Sequence, residues 1–239
     1  MNSGMYSALS GNLSALRRLE VISNNLANAN TPGFKGDQIQ FESVLAAVKN
    51  PTQETPVFSN EQFFTDYSQG SLQKSDNVLD LALDGDGFFV VNTPQGPAYT
   101  RQGNFHRGAA GRLVNADGYE VQGKNGGAIT LSGGRIDIGA NGAVTVDGVA
   151  AGSIAQVDFP KPYQFSKVGG GLLQPANPQS APTPASAEVK QGYLENSNVK
   201  VIVEMARMIE ATRYFESCAK AVRSYDELTA KAANDLGRV

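Results

Sequence analysis

Both ends of the chain carry apolar residues spaced by three or four positions, which is the period of one face of an α-helix. Two long amphipathic helices at opposite termini predict a paired helical layer with another domain inserted between them. Long apolar stripes of this kind also indicate an interaction surface. The residues that we expect to form it are, in the N-terminal stripe, Met5, Leu9, Leu16, Leu19, Ile22 and Leu26 and, in the C-terminal stripe, Val201, Met205, Met208, Ile209, Phe215 and Val222.

The two predicted helices have recognisable ends. The N-terminal pattern breaks at Asn28, after which the chain continues as ANTPGF. A proline biases the residue before it away from helical dihedrals, and Asn30 and Gly33 suit turn positions, so the first helix is predicted to end near Asn28. The second helix is predicted to begin at a cap on Asn196 or Ser197, and no proline or glycine interrupts it for about 40 residues.

Between the helices the apolar period falls from about 3.6 residues to two, which is the period of a β-strand. Asn-Gly and Asp-Gly pairs recur between these short runs and readily adopt the positive dihedrals of two-residue hairpins. The segment Asp84–Gly87 (DGDG) is also predicted to be a hairpin turn. The fold class is therefore predicted to be α+β, with an antiparallel β-rich domain, a small sandwich or a distorted barrel, inserted between the helices.

Shifts in composition predict the domain organisation. Residues 35–50 fit a short helix or a strand equally well, and the segment from 169 to 187 is rich in glycine and proline, which suits a connector. The predicted regions are a helical assembly domain at 1–34 and 190–239, a linker or extended region at 35–75, a β-rich outer domain at 76–160 and a Gly/Pro-rich connector at 161–189.

Charge and hydropathy exclude several classes of partner. The net charge of −3 gives no electrostatic reason to expect a nucleic-acid or anionic-membrane partner. No run approaches the roughly 20 apolar residues of a membrane span. The chain does not open on a basic segment followed by an apolar core, so a cleaved secretory signal is not expected. The single cysteine, Cys218, is predicted to be a buried thiol on the second helix.

Motifs for catalysis or metal binding are tested in turn, and none is supported. The single histidine, His106, has no serine, cysteine or second histidine arranged with it. A calcium loop starting at Asp84 would place Phe88 and Gln95 at its fifth and twelfth positions, where oxygen ligands are required. The glycine spacing of nucleotide-binding loops is absent. We therefore expect no catalytic residue, no cofactor and no metal.

Four segments resemble one known family. The sequence NNLANANTPGFK at Asn24–Lys35, which we call the signature segment, closely resembles the N-terminal signature of bacterial flagellar rod and hook proteins. The segments Leu79–Val91, Tyr99–Tyr119 and Glu195–Glu216 are similar to further parts of that family, and they follow in the family's order. Four ordered matches over both ends and the first half of the middle make the resemblance specific.

The resemblance implies a structural role and no enzyme activity. It implies a subunit of the flagellar basal-body rod, in the proximal rod by preference and in the distal rod as the alternative. The implied partners are other copies, neighbouring rod proteins joined by coiled-coil packing, and the export apparatus that delivers such proteins to the periplasmic rod without a cleaved signal peptide. The signature residues expected to shape the turn after the first helix are Asn25, Asn28, Pro32, Gly33 and Phe34.

A second function is kept as an alternative from another class. A secreted carbohydrate-binding or adhesive β module would place its binding site in residues 76–160. The chain contains no tryptophan, and that region has few aromatic residues on which a sugar ring could stack.

Overall fold

The computed structural model describes residues 2–43 and 59–236. The chain divides into two units. The helical unit comprises the described residues of Met1–Ala29, Gly36–Asp66 and Val199–Val239, and the β unit comprises Asn30–Lys35 and Tyr67–Asn198.

The helical unit contains the two long helices that the sequence predicts. Helix α1 spans Asn2–Ala27 and helix α2 spans Val201–Leu236. At 1.5 Å per residue they are about 39 Å and about 54 Å long. The backbone amide and the side-chain amide of Asn28 both donate to the carbonyl of Asn24, which ends α1 where the asparagine-rich turn was predicted.

The two helices pack in antiparallel order along a seam of mostly small residues. Gly11 lies against Cys218 and Tyr214, because a Cβ atom placed on Gly11 would be 3.0 Å from the Sγ atom of the first and from the hydroxyl oxygen of the second. Ala15 and Ala211 are buried. Toward the other end of the pair, Asn25 of α1 hydrogen-bonds to Glu204 of α2. The predicted pairing of the two helices is thus confirmed, whereas Cys218 is only half-buried.

A two-stranded antiparallel ribbon completes the helical unit. Strand β1 (Asp37–Ser43) pairs with β2 (Ser59–Thr65), in a register that joins Asp37 to Thr65 and Ser43 to Ser59. Of the two structures that fitted residues 35–50, the strand is therefore present over Asp37–Ser43. The remainder of that stretch, from 44 onward, lies outside the described residues.

The β unit contains short strands of two to six residues. In chain order they are β3 (Leu72–Lys74), β4 (Leu81–Asp84), β5 (Phe88–Thr93), β6 (Gly96–Thr100), β7 (His106–Arg107), β8 (Leu113–Val114), β9 (Glu120–Val121), β10 (Ile136–Ile138), β11 (Ala143–Val146), β12 (Val149–Ser153), β13 (Gln156–Asp158), β14 (Phe165–Gly169), β15 (Leu172–Pro175), β16 (Thr183–Pro184), β17 (Glu188–Gln191) and β18 (Tyr193–Glu195).

The largest sheet of the β unit is open. Its strand order is β14-β15-β6-β5-β9-β8-β7, with β13 pairing β5 and β16 beside this path. The described strands therefore form no closed barrel. The other groups are the three-stranded sheet β10-β11-β12 and the pairs β17-β4 and β18-β3. Every pairing is antiparallel, as the sequence predicts.

Strand β5 explains where the core lies. Successive side chains of a strand point to opposite faces. Phe89 and Val91 belong to a mainly aliphatic core cluster, whereas Phe88 and Val90 belong to a second cluster that is rich in aromatic rings. Both faces of β5 are therefore covered, which is why FFVV reads as a continuous apolar run.

Two predicted turns have different outcomes. Asp147-Gly148 joins β11 to β12 as a two-residue hairpin, and both residues have the positive φ angles, 50° and 81°, that such a turn requires. The predicted hairpin at Asp84–Gly87 is wrong. Strand β4 pairs with β17, and β5 pairs with β6, β9 and β13, so this turn carries the chain from one sheet to another.

The structure divides the chain differently from the predicted regions. The predicted linker 35–75 contains β1, β2 and β3, and the start of the predicted helical segment at 190–239 contains the end of β17 and all of β18. The predicted connector 161–189 contains the hairpin β14–β15, whose Leu172 and Leu173 are buried. The composition of this segment had suggested a connector, but its three successive glycines all adopt positive φ at the turn of the hairpin.

Candidate assembly surfaces

Asn25 of the signature segment joins three elements of the helical unit. Its side-chain amide nitrogen donates to the carbonyl of Asp37 at 2.7 Å, and its amide oxygen accepts from the backbone N–H of the same residue at 2.9 Å. The same nitrogen lies 3.4 Å from a carboxylate oxygen of Glu204. Because Asn25 is buried, these contacts tie the end of α1 to the start of β1 and to the first turn of α2.

Glu204 is the buried acid of this cluster. Its other carboxylate oxygen accepts a hydrogen bond from the Arg207 guanidinium at 2.7 Å. A cleft of about 230 Å³ lies beside it, with Ile22 and Ala211 among its lining residues. The buried carboxylate is thus compensated by an amide donor and a cation, which a charge removed from water requires.

The later part of the signature segment lies in the β unit and passes very close to another backbone. Gly33 has a φ of +67°, and a Cβ atom at this position would come within 2.5 Å of the Arg101 carbonyl oxygen and the Gln102 amide nitrogen. Its backbone N–H donates to the carbonyl of Glu195 at 2.7 Å. Glycine is therefore required here both by backbone conformation and by space.

Lys35 ends the signature segment in a buried ion cluster. Its ammonium group donates to one carboxylate oxygen of Glu195 at 2.6 Å and to the carbonyl of Ser68 at 2.7 Å. The Arg101 guanidinium donates to the other Glu195 oxygen at 3.2 Å. The three side chains are 3%, 0% and 4% exposed respectively for Lys35, Glu195 and Arg101. A charge cluster that is so fully removed from water is stable only when every member is paired.

The residues just before α2 are held by the β unit and do not cap the helix. The side chain of Asn196 donates to the Ser71 hydroxyl, and that of Asn198 donates to the Ser68 carbonyl. Helix α2 begins at Val201. The predicted cap at Asn196 or Ser197 is therefore wrong, because the asparagine side chain at 196 is used in strand-to-strand contacts before the helix starts.

The other signature residues have smaller roles. Pro32 and Phe34 are half-buried. The Lys167 ammonium lies 4.8 Å from the centre of the Phe34 ring, which is a cation–π distance. Sequence reasoning selected Phe34 but not Lys35, and it did not select the partners Arg101, Glu195 and Glu204.

The predicted stripe residues are not all in one environment. Ile22 is buried in the helical unit. Six are half-buried: Leu19, Leu26, Val201, Met208, Phe215 and Val222. Five are between 43% and 58% exposed: Met5, Leu9, Leu16, Met205 and Ile209. The stripes therefore supply part of the contact between the helices and leave a large apolar remainder uncovered.

That remainder forms two patches, one on each helix. The α1 patch consists of Met5, Leu9, Leu13 and Leu16, and the α2 patch consists of Ile202, Met205 and Ile209. Residues two positions apart on a helix are rotated by about 200°. Leu9 and Leu16 stand two positions from Gly11 and from the buried Ser14, so the α1 patch faces away from α2.

The antiparallel order places the two patches at opposite ends of the helix pair. Gly11, in the middle of the α1 patch, lies against Tyr214 and Cys218, whereas the α2 patch begins at Ile202, near the end of α1. A surface with two unlike patches at opposite ends suits a head-to-tail contact between subunits. It suits a symmetric dimer less well, because a two-fold contact uses the same patch on both subunits.

The residues tested for chemistry are occupied in other ways. Asp84 and Asp86 form exposed ion pairs with Lys190 and Lys161. His106 lies exposed on β7. Within residues 2–43 and 59–236, no three histidine, cysteine or acidic side chains are grouped as a metal site. Among the same residues, neither helix is long and apolar enough to span a membrane.

Comparison with protein families gives three matches along the chain. The model described as "Flagella basal body rod protein" matches residues 5–35, the model described as "Flagellar hook protein FlgE/F/G D1 domain" matches 82–146, and the model described as "Flagellar basal body rod FlgEFG protein C-terminal" matches 190–236. The matches cover the signature segment, the part of the strand-rich middle from 82 to 146, and α2.

Curated relatives extend the similarity to the whole chain. The flagellar basal-body rod protein FlgF of Rhizobium meliloti is 36% identical over 242 residues, which cover 99% of this chain and 99% of the relative. FlgF of Caulobacter vibrioides is 33% identical over 248 residues, covering all of both chains. FlgG of Bacillus subtilis is 33% identical over 260 residues, covering 96% of this chain and 97% of the relative.

The chain thus combines a pair of long helices, whose apolar patches are exposed, with an inserted β-rich region. The chain belongs to the flagellar basal-body rod protein family. The resemblance of the signature segment to this family is thereby confirmed, and the family is structural rather than enzymatic.

Proposed function

We propose that the chain is a proximal-rod subunit, and that its α1 and α2 patches pack against other copies and neighbouring rod proteins to form the rod. The observation that carries the proposal is the exposure of these patches. The α1 patch is between 43% and 53% exposed, although the seam beside it is buried. Exposed apolar stripes of this size on a helix usually mark a protein–protein contact.

The spacing within the stripes supports coiled-coil packing between subunits. Met5, Leu9, Leu16, Leu19 and Leu26 fall on the alternating four-and-three spacing of a heptad. A strict heptad drifts by about 20° per repeat on a straight helix, and supercoiling around a neighbour keeps it in contact. Knobs-into-holes packing of this kind would stiffen the assembled rod, as torque transmission from motor to hook requires.

Family membership supports two further proposals about how the subunit reaches its place. The flagellar export apparatus would bind the chain during secretion, and the subunit would reside in the periplasmic rod without removal of a signal peptide. The intact mass of the protein in purified basal bodies tests this. A mass lower than that of the full sequence by an N-terminal peptide would contradict it.

A distal position in the rod is the second candidate, because the identity to FlgG of Bacillus subtilis is close to that of the FlgF relatives. An epitope inserted at the exposed Asp147-Gly148 hairpin can locate the subunit by immunogold labelling of isolated basal bodies. Labelling at the motor end of the rod supports the proximal assignment. Labelling at the hook end would assign the chain to the distal rod.

Charged substitutions in the patches test the assembly role. Leu16→Asp in the α1 patch and Ile209→Asp in the α2 patch are expected to abolish swimming and the recovery of complete basal bodies. The matched control is Val149→Asp, which changes a 71% exposed apolar residue of the β unit. Since all three side chains are exposed, each change is expected to alter folding stability by no more than about 0.5 kcal/mol.

The outcome separates assembly from folding. The purified variants should keep the unfolding midpoint of the unchanged protein, and only the patch variants should fail to complete a rod in a strain that lacks the chromosomal copy. Normal swimming of both patch variants would contradict the proposed role of the patches.

A further inference from the structure

The signature segment contacts the same stretch of the C-terminal half in both units. In the helical unit, Asn25 reaches Glu204. In the β unit, Gly33 and Lys35 reach Glu195 through its backbone and its side chain. The side-chain contacts of Asn25 and Lys35 join residues that are 179 and 160 positions apart in the chain, respectively.

The contacts in the β unit do not depend on a single bond. The Phe34 carbonyl accepts from the backbone N–H of Asn198 at 3.4 Å. The backbone N–H of Gly70 donates to the Glu195 oxygen that also accepts from Lys35. A Cβ atom on Gly70 would overlap the Asn196 carbonyl oxygen. The backbone of Gly70 and the side chains of Lys35 and Arg101 thus all contact the Glu195 carboxylate.

Burial decides between a contact within the chain and a contact with a neighbour. Asn25, Gly33 and Lys35 are buried, and their polar groups are directed at residues of the same chain. The α1 and α2 patches, with their exposed apolar side chains, lie outside this segment. Because Asn25, Gly33 and Lys35 are already covered within the chain, they are poorly placed to contact a second subunit.

We propose that residues 33–35 of the signature segment form a latch, closed within one subunit by Glu195 of the same chain. Its role is to join the end of α1 to the start of α2, so that both helices leave for assembly from fixed and adjacent points of the backbone. Glu195 is then a positioning residue for rod assembly. This consequence for assembly rests on the proposed function, whereas the latch itself is a property of the single chain.

A double-mutant cycle on the purified full-length chain tests the latch directly. Glu195→Gln removes the carboxylate from the buried cations of Lys35 and Arg101, and it should raise the unfolded fraction of the β unit roughly a hundredfold or more. Lys35→Met keeps the apolar stem but removes the charge. In the Glu195→Gln background, Lys35→Met should therefore restore part of the stability, because Arg101 is then the one cation of the cluster left without the carboxylate, although the same substitution lowers stability in the unchanged protein.

Additive effects of the two substitutions would overturn the latch. If Glu195→Gln alone does not fold, recovery of a folded chain in the Lys35→Met/Glu195→Gln variant supports the coupling, and failure to recover it both there and after Arg101→Met is added refutes the coupling. Tyrosine circular dichroism in the near ultraviolet follows the β unit in these measurements, since its aromatic cluster includes Tyr67, Tyr99 and Tyr163.

Co-expression distinguishes a latch within one chain from a contact between chains. The two substitutions should restore swimming only when they are carried by the same polypeptide. If a Lys35→Met chain and a Glu195→Gln chain complement each other when mixed in one cell, the contact is between subunits and the proposal is overturned.

A control of matched stability separates positioning from folding. Leu131→Ala truncates a fully buried side chain of the same unit, outside the latch, and it should lower stability by a similar factor. The latch predicts that Leu131→Ala cells complete more rods than Glu195→Gln cells at equal unfolding midpoints. Equal numbers of rods would reject positioning, whereas the patch variants described above would still test the assembly role by itself.

Discussion

Gly33→Ala is the substitution for which the structure gives the sharpest expectation. Two costs act at this position. The φ angle of +67° costs an alanine about 1 kcal/mol. The added Cβ atom would also lie within 2.5 Å of backbone atoms of Arg101 and Gln102, which cannot rotate away as a side chain could. The turn must therefore move.

Moving the turn disturbs the contacts that follow it. The Gly33 N–H bond to the Glu195 carbonyl, at 2.7 Å, contributes about 1 kcal/mol. The buried pair between Lys35 and Glu195 is two residues further on, and breaking such a pair costs about 3–5 kcal/mol. Even partial misalignment of that pair gives an expected total of at least about 3 kcal/mol for Gly33→Ala.

Gly118→Ala is the matched control. Gly118 has a φ of +85°, and a Cβ atom there would meet nothing within 4 Å, so an alanine suffers only the conformational cost of about 1 kcal/mol. Both substitutions change the unfolded chain in the same way, so that contribution cancels in the comparison. Urea unfolding, followed by tyrosine circular dichroism, gives the two free energies. Values for the two variants that agree within about 0.5 kcal/mol would refute the argument from close approach.

Two further predictions concern the aromatic cluster and the seam. Burial raises the pKa of Tyr163, and its hydrogen bond to Asp158 raises it further, so the folded state retains a proton that the unfolded chain loses above about pH 10. The free energy of unfolding should then fall as the pH rises above 10. The difference in this free energy between the unchanged protein and Tyr163→Phe should shrink over the same range. A difference that stays constant would contradict this assignment. In the seam, Ala15→Leu should destabilise the helix pair by about 1–3 kcal/mol because the site is fully buried, and the exposed Ala27→Leu should not. Thermal loss of the helical circular dichroism signal compares the two, and equal midpoints would argue against a close-packed seam.

Local features of the sequence were predicted correctly because their causes are local. The end of α1 at Asn28 follows from an asparagine-rich turn with a proline, and the hairpin at Asp147-Gly148 follows from the dihedral preference of that pair. Each of these signals lies within a few residues of the structure that it specifies. The antiparallel character of the strands follows in the same way from the short spacing of the turns.

The seam between the helices was missed because hydrophobic periodicity is dominated by large side chains. Gly11, Ser14 and Ala15 contribute little to an apolar pattern, yet their small size lets α2 approach closely. The large residues of the N-terminal stripe follow a heptad instead, and a heptad drifts around a straight helix. Ile22 lies outside this heptad and is buried, whereas Leu9 and Leu16 lie on it and are exposed.

The latch could not be predicted from the sequence for a different reason. Lys35 and Glu195 are 160 positions apart, and neither has a neighbour that identifies its partner. The available signal was the placement of a charged residue beside apolar ones, such as Leu194 before Glu195. Such a charge is usually exposed, so only the three-dimensional fold reveals that it is paired and buried.

The separation of the seam from the patches has a physical consequence for the order of assembly. The small residues of the seam can bring α1 and α2 together within one chain without using the large side chains of either patch. Because isolated helices are marginal in water, pairing along the seam lowers the cost of ordering them before a neighbour arrives. In the proposed rod, the large apolar side chains of the patches would be buried on contact with another subunit, and most of their hydrophobic free energy would then favour the growing rod over the free subunit.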